Sequence, residues 1–159
     1  MTSEQPFEVR FDVFEESWFC LKLINKSDLF KCCPDGFMHD SILETVEIIH
    51  GFCNGRRDEL VVRWYELPFM YQFHFLSQND NLILRVDEYP DVPKRAGMSS
   101  SKKIVFEAQL NRQQMCLTFW RAIRKLQSQI SPEKYGAHWK HPFPVEQVTS
   151  LTKLIKAKA

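Results

Sequence analysis

The chain has 159 residues, of which 44% are hydrophobic and 13% aromatic, including 13 Phe. That length suits one domain with a substantial core, and that apolar content excludes a disordered chain. A formal net charge of +1 favours neither nucleic acid nor an acidic partner through the field of the whole molecule.

No stretch approaches the roughly 18 apolar residues of a membrane helix. The first residues, Met-Thr-Ser-Glu-Gln-Pro, carry neither a basic start nor an apolar segment behind it. Cys20, Cys32, Cys33, Cys53 and Cys116 make an odd set, which reads as reduced thiols in a cytoplasmic protein with no membrane contact.

Residues 7–14 alternate, with Phe7, Val9, Phe11 and Val13 on one side and Glu8, Arg10 and Asp12 on the other. This predicts a strand with one wet face. Residues 15–17 turn the chain into a second strand over 18–24, burying Phe19, Leu21 and Leu23 or the opposite set. Around Cys32-Cys33-Pro34-Asp35-Gly36 the chain reads as irregular, with Pro-Asp-Gly as a turn signal. Ser41-Ile-Leu-Glu44 matches a capping box, and Ile42, Val46, Ile49 and Cys53 follow at helical spacing. A helix is expected over 41–53, with Asn54-Gly55 as its stop.

Residues 60–89 hold three alternating runs, separated by Leu67-Pro68 and by the polar stretch 77–81. Phe69, Tyr71, Phe73 and Phe75 share one face, with Met70, Gln72 and His74 on the other. Residues 90–101, rich in Pro and Ser, read as an exposed loop. Residues 102–108 alternate again through Ile104, Phe106 and Ala108. A long helix begins near Asn111 and steps through Met115, Phe119, Ala122, Ile123, Leu126 and Ile130 until Ser131-Pro132 ends it. Residues 131–143 form an aromatic and histidine-rich connection, and Pro144 opens a last helix through Val145, Val148, Leu151 and Ile155. Together these predict one α+β domain over 1–159, in the order β-β-α-β-β-β-β-α-α. Its antiparallel sheet has about six strands, with three helices packed mainly on one face.

Motifs that carry chemistry are missing. His138 and His141 lie three apart, but nothing beside them completes a metal-ligand set. Cys32-Cys33 is not Cys-x-x-Cys, and no glycine-rich phosphate loop occurs, so neither a metal nor a cofactor is implied. The pairs Asp58-Glu59 and Asp87-Glu88 read as solvated turn and strand-end residues, because strand neighbours point to opposite faces. No catalytic residue is assigned.

Two residue sets are candidates for binding. Tyr135, His138, Trp139, Lys140 and His141 have the composition of an interface anchor, set against a role in plugging the core edge. Arg63, Glu66, Tyr71, His74 and Arg85 would serve a small-ligand or enzyme pocket between the aromatic sheet face and the helices. Nucleic-acid binding needs the scattered Lys and Arg to merge into one stripe, which the charge balance disfavours.

Over residues 60–89, Trp64-Tyr-Glu-Leu-Pro-Phe-Met-Tyr-Gln-Phe-His-Phe75 with Leu82-Ile-Leu-Arg-Val86 resembles small uncharacterised bacterial α+β proteins of the toxin-immunity type. Leu67 stands where that pattern carries a second acidic residue. The resemblance implies no catalytic residue; it implies a protein that neutralises a toxin by binding it. The expectation is a cytosolic, non-enzymatic interaction protein with a protein partner.

Overall fold

Alternation in the first runs becomes an antiparallel pair, β1 (Glu8–Phe14) with β2 (Trp18–Asn25), in which Phe11 faces Leu21 and Val9 faces Leu23. β2 buries Phe19, Leu21 and Leu23, one of the two registers the sequence leaves open. The computed structural model describes residues 7–15, 18–90 and 102–158. Residues 16–17 of the first turn and 91–101 of the expected loop lie outside the described residues.

The remaining elements are β3 (Asp28–Cys32), α1 (Ser41–Cys53), β4 (Leu60–Glu66), β5 (Phe69–Gln78), β6 (Asn81–Tyr89), β7 (Lys103–Asn111), α2 (Arg112–Gln129), α3 (Pro132–Trp139) and α4 (Val145–Ala157). The fold is α+β with antiparallel pairing throughout, but the strands divide into two sheets, β1-β2-β3 and β4-β5-β6-β7. This corrects the expected single sheet of six strands and the expected three helices.

Two elements account for the difference. β3 has five residues, with only Phe30 and Cys32 turned inward, too short a run for alternation to stand out. α3 has eight residues: Ser131 caps it by accepting from the Lys134 amide, Pro132 opens it, and Lys140 ends it in the left-handed region at φ 72°. Its aromatic and Gly-containing composition looks like a connection, while the cap and the Tyr135–Trp139 spacing of four make it a helix.

The helix over 41–53 forms as expected, with a different cap. Asp40 Oδ1 accepts from the Leu43 amide at 3.2 Å, and the hydroxyl of Ser41 instead donates to the Arg63 carbonyl. Gly55, at φ 94°, follows the Asn54 C-cap. The Arg63 bond matters because β4 is an edge strand. Its free carbonyls at Arg63 and Tyr65 are taken up by Ser41 Oγ and by the Asp35 amide.

One face of the four-stranded sheet is the core face. Trp64, Phe73, Phe75, Leu82, Leu84 and Val86 are completely buried there. At one end the first sheet covers it: Phe30 meets Tyr71 and Phe73 edge-on at 5.0 and 5.8 Å, and Phe11 lies 6.4 Å from Trp64. At the other end Phe52 of α1 and Phe119 of α2 close on Phe75 at 6.0 and 5.5 Å. Phe69, expected with this set, is 38% exposed at the strand end beyond the cover. α4 is fixed to α2 by the Trp120 indole donating to Thr152 Oγ1 at 2.9 Å.

Candidate functional site

The interface candidates of the 131–143 segment divide by exposure. Tyr135 and Trp139 are 1% and 0% exposed, packed against Phe19, Phe143 and Trp64. Burial, then the charge of Asp40, pushes the Tyr135 phenol well above its usual range. Lys140 is exposed, and His138 and His141 are half-buried. The loop before α1 holds the segment in place: the His141 Nε2–H donates to the Gly36 carbonyl at 2.8 Å, and Trp139 Nε1 donates to Asp40 Oδ1 at 2.8 Å. Gly36 is required there, because a Cβ would stand 2.1 Å from the Trp139 carbonyl oxygen. His138 is half-buried, and burial followed by the Lys140 charge lowers its pKa, against a smaller opposing pull from Asp35.

A different cluster stands out on the face of the four-stranded sheet that points away from the core. Hairpin register around Asn79-Asp80 sets His74 opposite Arg85 and Gln72 opposite Asp87. Asp87 is completely buried although it lies on this outer face. His74 Nε2 lies 3.1 Å from its carboxylate, Arg85 Nε 3.3 Å and Lys102 Nζ 3.8 Å. A bulge at Val86/Asp87 turns the strand at this point. The other nitrogen of His74 faces Glu59 at 3.2 Å, and Gln72 Oε1 accepts from the Tyr89 hydroxyl at 3.4 Å.

The pocket candidates are therefore divided between the two faces. His74 and Arg85 join the ionic cluster, and Arg63 is exposed beside Gln72 on the same face. Tyr71 lies on the core face, where burial, then Glu88, Glu66 and Cys32, push its phenol up to about 12. Glu66 Oε2 accepts from the Cys33 amide at 2.8 Å, which anchors the loop after β3. Asp87, Glu59 and Lys102 were not expected in any site; Asp87 had read as a solvated strand end. The available signal was the hairpin register, which pairs 72 with 87 and 74 with 85 on one face.

Chemically, the cluster is a neutralised anion supporting cations. Three positive or protonatable groups converge on one carboxylate: Arg85 turns both Nε and Nη2 onto it, and the more exposed Lys102 stands at its edge. Glu59 and Asp87 address opposite ring nitrogens of His74, so they share no point where a metal could sit. Among the described residues no group of three or more metal-ligating side chains forms.

Cys20 and Cys33 are joined in a disulfide across 13 positions. This corrects the expectation of five reduced thiols: the β2–β3 hairpin brings the residue after β3 back beside β2. Cys32, Cys53 and Cys116 are free. No protein family, curated protein or solved structure was found to match the chain.

Proposed function

We propose that this chain is a non-enzymatic binding protein that acts by occlusion, seating the outer face of the β4–β7 sheet on an acidic surface of a protein partner, in the manner of an immunity protein. The observation that carries this reading is the buried Asp87 carboxylate under Arg85, His74 and Lys102. With its charge compensated from within, it holds Arg85 and Lys102 beside it on the outer face of the sheet, and exposed Arg63 extends the row of cations. Charge arranged in this way steers encounter and selects partners of opposite sign. Glu59 and Glu107 lie at the rim of the cluster and add register to the pattern.

The pocket reading draws no comparable support, because Trp64, Phe73 and Phe75 fill the space between the sheet and the helices. The test is affinity capture from the native host with the wild-type chain and an Arg63→Glu/Arg85→Glu variant checked for folding by circular dichroism. One acidic protein should be retained by the wild type and lost by the variant, with retention falling as salt rises. Equal retention by both, or a captured protein with a basic surface, would sink the reading. The immunity form also expects a toxin gene beside this one.

A further inference from the structure

A cleft of about 420 Å³ opens where the end of α1, the start of α2, the end of α4 and the β5–β6 turn meet. Cys53 forms part of its wall, with Asp80, Arg112 and Lys158 around it. Behind Cys53 sits Cys116, 1% exposed, whose Sγ lies 3.7 Å from the carbonyl of Ile49, one helical turn before Cys53, which makes the two thiols neighbours. One thiol of the pair therefore lines the cleft, and its neighbour is buried behind it.

The cleft also has a charge pattern. Arg112 donates through Nη2 to the Asn79 carbonyl at 2.9 Å, while its Nε is buried with no hydrogen-bond partner among the described residues. Lys158 is close enough for its charge to act on Cys53. Two cations and one carboxylate around a thiol match a small zwitterion that carries more carboxylates than amines.

We propose that Cys53 and Cys116 are a reversible redox pair, in which Cys53 is thiolated by a carboxylate-bearing small disulfide of the glutathione class and Cys116 resolves the product. In the first step the Cys53 thiolate attacks one sulfur of the oxidant and expels one glutathione thiolate. In the second the Cys116 thiolate attacks Cys53 Sγ, forms the Cys53–Cys116 bond and expels the other. Two protein thiols are oxidised, one small disulfide is reduced, and the two protons end on the two released glutathiones. Burial holds both protein thiols above their usual range, that of Cys116 up to about 12. The attack is slow as a result, but glutathione is the better leaving group at the second step, which drives the mixed disulfide on to the bridge. The bridge would tie the last residue of α1 to the second turn of α2.

The wild-type chain suffices for the test, so no core cysteine need be replaced. Native protein is incubated with glutathione disulfide, and intact mass and non-reducing peptide maps are followed over time. A transient glutathionyl adduct at Cys53 should give way to a Cys53–Cys116 cross-linked peptide, with buried Cys32 unmodified. A persistent adduct with no cross-link, or no reaction at Cys53 while the denatured chain reacts, would overturn the pair. Uncharged hydroxyethyl disulfide, with each reagent normalised to its rate on an unstructured cysteine peptide, should react roughly fivefold more slowly, as two surface charge contacts allow. Equal normalised rates would remove Arg112 and Lys158 from the proposal.

Discussion

Trp139 Nε1 donates to Asp40 Oδ1, 99 positions away in the chain, and the same oxygen caps α1 at the Leu43 amide. One atom thus fixes both the start of the first helix and the deepest aromatic of α3. Asp40→Ala removes the cap and leaves a buried indole donor unpaired, so unfolding free energy should fall by about 3 kcal/mol in urea titration. Asp40→Asn keeps an acceptor in place and should lose less than half as much.

Asp87 has no exposed surface, and three cationic or protonatable groups face it. Asp87→Ala strands them and should cost about 3–5 kcal/mol, whereas removing charge from both sides with Arg85→Met/Asp87→Leu should cost clearly less. Denaturant midpoints of the two variants decide the order; the reverse ranking would show that Asp87 acts by packing alone.

His138 carries a pH dependence whose sign follows from its lowered pKa. The folded state disfavours the proton, so its contribution is fully present above the unfolded value near 6.5. It is lost as pH falls from there through the folded pKa, with a slope of at most about 1.4 kcal/mol per pH unit. His138→Gln should flatten that slope on the acid side of the unfolded value, read as stability against pH for the two proteins.

The Cys20–Cys33 disulfide closes a short loop around the β2–β3 hairpin. A loop of this size constrains the unfolded chain by about 3 kcal/mol. Replacing both cysteines by Ser should lower stability by about that amount and should release the loop that carries Gly36 against Trp139. Proton exchange at the Asp35 amide, bonded to the Tyr65 carbonyl, would report the release.

Strong periodicity over enough residues was legible. Phe73 and Phe75 on β5, and Ile42, Val46 and Ile49 on α1, lie on the faces their spacing assigns. What stayed hidden depends on partners distant in sequence. Ser41 reads as a cap from its neighbours, but the Arg63 carbonyl claims its hydroxyl and Asp40 takes over. Tyr135 and Trp139 in isolation fit an interface anchor or a plug at the core edge alike, and the approach of Phe19 and Trp64 buries them. Asp87 looks solvated until the hairpin brings His74 and Arg85 to it. Cys33 shows no pairing signal until a strand of only five residues folds back along β2.

The covered rim of β4 has one more effect. Because Ser41 Oγ and the Asp35 amide already occupy the outward carbonyls of Arg63 and Tyr65, another chain cannot extend the sheet there by backbone zippering. Whatever meets this molecule on that flank is recognised by its side-chain relief, and identical copies cannot stack into fibres through this strand.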